Sequence, residues 1–189
     1  MEWLYKVRAS SDGKLRLVWK SFLLEQINST RGPEWKVWED EGFKSRDLPP
    51  LEAAKCAALQ GEAAFDAFHQ RCFRARHRQG RSVAEKEVLL DVAREAGLDV
   101  DRFRRDIESG IQRHLVAEDH EEAVKQWGVF GVPTLVYPAG EAVYLKLAPG
   151  EWESREDDGL FDQLLALFAT RPYLLEVKKP ESVRVTKKR

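Results

Sequence analysis

The chain has 189 residues and 21.8 kDa, enough for a buried core. Lys and Arg (31) balance Asp and Glu (32), giving a net charge of −1 and a pI near 6.5, so composition offers no dedicated nucleic-acid or anionic-membrane partner. No stretch approaches the ~20 apolar residues of a membrane span. Met1-Glu2-Trp3-Leu4-Tyr5-Lys6 lacks the basic and apolar regions of a signal peptide, and two cysteines, Cys56 and Cys72, suit a reducing compartment. A cytoplasmic location is expected.

Trp3, Leu4, Val7 and Arg8 have helical spacing, and Ser10-Ser11-Asp12-Gly13 reads as a turn. Leu15, Leu17 and Trp19 then alternate with Lys14, Arg16 and Lys20 into Phe22-Leu23-Leu24, which predicts a strand over 15–24. Residues 28–50, with Gly32-Pro33 and Pro49-Pro50, read as irregular, with Trp35 and Trp38 packing this long loop on the body. From Leu51 helices dominate. Leu51, Ala54, Ala58, Ala64, Phe65, Phe68 and Cys72 form an apolar stripe interrupted at Gly61. Ser82 and Glu85 have capping-box spacing ahead of Val88, Leu89, Val92 and Ala93, and Gly97 closes that helix. Asp99 caps the next, with Leu98 and Phe103 as a hydrophobic staple and Gly110 as its stop. Ile111–Trp127 reads as a further helix. Leu135–Tyr137 and Ala142–Leu147 flank Pro138-Ala139-Gly140 as a hairpin, Leu160–Phe168 as an amphipathic helix, and Tyr173–Val177 as a short extended segment.

The run Trp127-Gly128-Val129-Phe130-Gly131-Val132-Pro133-Thr134 joins a helix end to an apolar strand. Gly128 and Gly131 offer backbone freedom, and Pro133 stands at the strand's first residue, where a missing N–H is tolerated. A cis Val132–Pro133 bond is expected there. Other constellations are weaker. Cys56 and Cys72, sixteen residues apart within predicted helices, read as small core side chains. His69, Cys72 and His77 could share a helix face, but zinc would need a further ligand, so no metal is expected and the two histidines read as surface residues. Glu118, Asp119, Glu121 and Glu122 read as a solvated helical face. No phosphate-cradling loop or nucleophile elbow occurs, and no cofactor is expected.

Three stretches carry a resemblance: Trp19–Asn28 after the predicted strand, Leu90–Asp99 in the helical block, and the Gly131-Val132-Pro133-Thr134 loop. In order and spacing they resemble the DsbA-like thiol–disulfide oxidoreductases over about residues 2–175. The resemblance implies an α/β, thioredoxin-like fold with an α-helical insertion, its opening strand missing from the given residues. It divides the chain into an incomplete thioredoxin-like domain (1–48 and 128–175), an inserted helical domain (49–127) and a basic tail (176–189). In that family a low-pKa thiolate at a helix start attacks a disulfide and a second cysteine resolves the product. The given residues supply no Cys-x-x-Cys, so no catalytic residue is assigned. The resemblance implies that the Val132 backbone pairs with an extended substrate, Pro133 shapes the loop, and Gly131 and Thr134 flank it. The partner would be a protein or small-molecule thiol or disulfide. The leading reading is an oxidoreductase of this family truncated at its N-terminus or lacking the dithiol. The alternatives are a non-catalytic thioredoxin-like peptide-binding module and a kappa-type glutathione-dependent isomerase or transferase. Without its central opening strand, the sheet should be completed by another segment or by a second copy, so homodimers are expected.

Overall fold

The computed structural model describes residues 2–138, 140–147, 159–168, 170, 171 and 174. Helix α1 (Glu2–Ser10) buries Trp3, Leu4, Tyr5 and Val7. It ends in the expected turn, where the Ser11 hydroxyl donates to the Arg8 carbonyl (2.8 Å) and accepts the Leu15 N–H (3.2 Å). Residues 14–20 are extended, with Leu15, Leu17 and Trp19 half-buried and Lys14, Arg16, Val18 and Lys20 exposed. The alternation expected of a strand is therefore present, but the strand itself is not: this segment joins no ladder among the described residues. A one-turn helix, α2 (Leu24–Ile27), replaces its predicted end.

Residues 28–47 are irregular, as expected, and side chains of α2 hold them. The Gln26 amide donates to the Trp35 carbonyl and accepts the Val37 N–H, both at 2.8 Å. The Glu25 carboxylate accepts the Arg46 N–H (2.9 Å) and the Ser45 hydroxyl. Trp35, Trp38 and Phe43 pack against a core of Leu23, Val37, Leu48 and Val116. Pro49 and Pro50 lie in the first turn of α3 (Leu48–Ala58) rather than in the loop, because first-turn amides have no intrahelical acceptor to lose.

Helices α3, α4 (Glu62–His77), α5 (Lys86–Glu95) and α6 (Val100–Ser109) surround one core that includes Cys56, Phe68, Cys72, Leu89, Leu90, Val92 and Phe103. Asp99 caps α6 through the Arg102 N–H (3.0 Å), and Leu98 and Phe103 are both buried as the staple requires. The Ser82–Glu85 capping box does not form. Residues 82–85 make a turn that drops Val83 into the core, and α5 begins at Lys86. Helix α7 (Arg113–Trp127) ends at Gly128, whose φ of 60° is left-handed and suits glycine. The hairpin β1 (Thr134–Val136) and β2 (Ala142–Tyr144) pairs antiparallel with Leu135 opposite Val143. Helix α8 (Leu160–Phe168) follows. Leu135, Leu145 and Leu147 share a third core with α1, α8 and Leu15, Leu17 and Trp19. The Tyr173–Val177 expectation lies largely outside the described residues. None of the described helices is long and apolar enough to cross a membrane.

Helix α7 corrects the reading of its acidic face. Asp119 is buried, not solvated: it accepts the Ser21 N–H (2.8 Å) and pairs with Lys55 (2.5 Å) and Lys20 (3.1 Å). Burial by itself would raise its pKa. The contacts to Lys55, the Ser21 amide and Lys20 outweigh that and hold the carboxyl below its ordinary range. The next residue, His120, is also buried, between the Phe22 and Trp38 rings, and its Nδ1 accepts the Leu23 N–H (3.2 Å). Two adjacent side chains thus fix residues 21–23 against α7.

Candidate functional site

The loop between α7 and β1 presents the expected residues. The Val132–Pro133 bond is cis. The Thr134 hydroxyl donates to the Gly131 carbonyl (2.7 Å), and the Pro133 carbonyl accepts the Leu145 N–H (3.0 Å), so both ends of the loop are fixed to the hairpin. Val132 is exposed, and its backbone N–H and C=O have no hydrogen-bond partner among the described residues. Gly131 differs from its sequence-based role. Its φ is not in the left-handed region. A Cβ there would sit 3.2 Å from the Tyr144 ring, so the glycine serves close approach rather than unusual backbone conformation.

Two residues that sequence reasoning did not assign complete this surface. Phe130 is 68% exposed, and its ring centroid lies 5.2 Å from that of Tyr144, itself 41% exposed. The ladder register puts Thr134, Val136, Ala142 and Tyr144 on one face of the hairpin, while Leu135 turns to the core. With Val132 and Val136, both exposed, the aromatic pair makes an apolar surface around an unpaired backbone segment. The available signal was a phenylalanine between two glycine-punctuated steps, at a position with no helical or strand partner.

The cysteines lie elsewhere. Cys56 on α3 and Cys72 on α4 are free, buried members of the helical core, as expected for apolar packing residues. Burial pushes their thiols up to about 12 and about 11, away from the thiolate a nucleophile needs. His69 is not a surface histidine. Its Nδ1 lies 2.8 Å from the Tyr5 hydroxyl, which donates to Asp66 (3.2 Å), and Trp19 and Phe65 pack on its ring. Burial pulls its pKa down to about 4. Tyr5 is shifted up by burial and by the Asp66 charge. Arg8 closes the group through its ion pair with Asp66, so the cluster ties α1 and residue 19 to α4. His77 is exposed beside Phe73, and no group of acidic, cysteine and histidine side chains suited to a metal ion occurs among the described residues.

Comparison with known proteins agrees with this geometry. The sequence model of the family described as Thioredoxin matches residues 6–143. The chain is similar to the ClpXP adapter protein SpxH of Shouchella clausii, 28% identical over 143 residues, which cover 70% of this chain and 47% of that protein. It is also similar to the ClpXP adapter protein SpxH of Halalkalibacterium halodurans, 30% identical over 132 residues, which cover 68% of this chain and 40% of that protein. The chain spans less than half the length of these curated relatives. With a helical insertion ahead of a cis-proline loop, and a family match across most of its length, the chain belongs to the thioredoxin family.

Proposed function

We propose that this chain is a non-catalytic, thioredoxin-like protein-binding module that acts as an adapter, and that its partner docks on the Phe130–Thr134 loop and the exposed hairpin face. The observation that carries this reading is the juxtaposition of an unpaired Val132 backbone with the exposed Phe130–Tyr144 pair. Extended peptides bind through such free backbone groups, and exposed aromatics serve as anchors. The two SpxH relatives bear the name of ClpXP adapters, which makes ClpX the first partner to test and the cytoplasm the expected compartment. The division into 1–48 with 128–175 and an inserted 49–127 is retained in this proposal, with α7 as the contact between them through Asp119 and His120.

DsbA-like disulfide exchange and glutathione-dependent chemistry are the weaker readings. Cys56 and Cys72, buried in the helical core with raised pKa values, lend them no support, and the two similar proteins bear the name of adapters. Titration of the purified chain into purified ClpX by calorimetry tests the proposal. Phe130→Ala with Tyr144→Ala should weaken binding by about thirtyfold, the effect of losing about 2 kcal/mol at an anchor. Cys56→Ala with Cys72→Ala should leave binding unchanged. Tight binding by the aromatic-free variant would overturn the assignment of the surface.

A further inference from the structure

Residues 21–23 are held on α7 by two side-chain acceptors, each of which can take a proton. The Leu23 N–H donates to His120 Nδ1 (3.2 Å), and the Ser21 N–H donates to Asp119 Oδ2 (2.8 Å). A backbone amide can only donate, so Nδ1 is bare and the proton of the neutral ring sits on Nε2. Leu23 is 0% exposed, and its N–H has no other acceptor among the described residues. A second proton on the ring must go to Nδ1. There it sets two donors face to face in a buried contact and strands the Leu23 amide. The closed contact and the imidazolium exclude one another.

The surroundings add to this. The ring centroid lies 4.7 Å from that of Phe22 and 5.7 Å from that of Trp38, and Lys36 Nζ sits 5.6 Å over the Trp38 ring. Burial and the Lys36 charge hold the His120 pKa below its ordinary 6.5, against the pull of Glu121 on the same helix. The other charged groups at the contact are engaged. Asp119 pairs with Lys55 of α3 and with Lys20, which also meets Glu122. Asp47 accepts the Glu25 N–H (3.1 Å), and the Glu25 carboxylate accepts the Ser45 hydroxyl. We propose that His120 and Asp119 form an acid-released clasp. A proton on His120 drives residues 21–23, with the Trp38 side of loop 28–47, off α7; a proton on Asp119 at lower pH removes the second acceptor. The release is local, because the core of α3–α6 and the core of α1 and the hairpin contain none of residues 21–23, 38, 119 and 120. It is independent of the adapter reading.

The test is NMR on the full chain from about pH 7.5 to about pH 4.5, reading histidine ring nitrogens and amide exchange corrected for the intrinsic rate at each pH. The ring proton should sit on Nε2 at the neutral end. In the open contact His120 titrates near its ordinary 6.5. Each pH unit below that value should therefore lower the protection of the Leu23 amide by about tenfold, until the closed-state ring itself takes up the proton. His120→Asn puts a carbonyl oxygen in the place of Nδ1, an acceptor that no proton occupies in this range. Its Leu23 protection should change by less than about twofold between pH 6.5 and about pH 5.5. The same variant separates His120 from Asp47, whose pKa burial and the Glu25 charge raise. His69→Gln should leave the wild-type slope in place. A ring proton on Nδ1 at the neutral end, a Leu23 amide that keeps its protection across the range, or an equal slope in His120→Asn overturns the inference. So does a slope that His69→Gln abolishes, which would trace the exchange to unfolding of the whole chain. The tautomer and the wild-type slope are read whether or not the variants fold.

Discussion

Asp119→Asn isolates the contact that holds residues 21–23 to the helical block. The carboxylate side chain is 7% exposed and meets Lys55, whose side chain is 20% exposed, and Lys20, which is 51% exposed. Removing one partner of a buried ion pair costs about 3–5 kcal/mol because the other charge is stranded. The Lys20 contact adds little, since half-exposed pairs contribute about 0–1 kcal/mol. The asparagine oxygen still accepts the Ser21 N–H, and Lys55 recovers some hydration, so the expected loss is about 2–3 kcal/mol. Urea unfolding followed by tryptophan fluorescence reads it directly, and the thermal midpoint should drop by about 5–10 °C. Adding Lys55→Met should restore most of the loss, because the stranded cation is gone. Asp119 also has a depressed folded-state pKa, so its contribution is present above the unfolded-state value of 3.8 and vanishes as pH falls through the folded one. The variant should accordingly show a shallower stability loss below about pH 4 than the wild type. A loss under about 0.5 kcal/mol, or strict additivity with Lys55→Met, would refute this account of the contact.

Three further outcomes are expected. His69 stays neutral in the fold down to about pH 4, whereas the unfolded chain takes up its proton near 6.5; stability should therefore decline as pH falls between those values, and His69→Gln should make that slope shallower in urea titrations at stepped pH, leaving the share of His77 and His120, whose pKa values burial also lowers. Phe68→Ala, at a fully buried ring 5.1 Å from Phe103, should destabilise the chain by about 3–5 kcal/mol in the same assay. Native Cys56 and Cys72 should resist a disulfide reagent at pH 8 and react only on unfolding, a result that rapid native labelling would contradict.

Most of the architecture was legible in local chemistry. Asp99, Gly97, Gly110 and Gly128 mark helix ends by caps and left-handed turns, which depend on a few neighbouring residues. Alternation over 14–20 correctly oriented Leu15, Leu17 and Trp19, but a ladder depends on a second segment, and side-chain period alone cannot supply one. The capping box at Ser82 failed because burial of Val83 competes with an early helix start. Asp119 resembled its solvated neighbours because its partners, Ser21 and Lys55, are more than sixty residues away in sequence. At the candidate site, Val132 and Pro133 were readable from the motif. Phe130 and Tyr144 were not singled out, since their pairing depends on hairpin register and on the space that Gly131 leaves open.

The central claim, that partners dock on the cis-proline loop and the adjoining hairpin face, is tested most directly by photo-crosslinking. Benzoylphenylalanine placed at Phe130, and separately at the exposed Arg105 of α6, would be irradiated with purified ClpX under binding conditions. Crosslinks from position 130 and none from position 105 are the predicted result. Bound ClpX that crosslinks only from position 105 would contradict it.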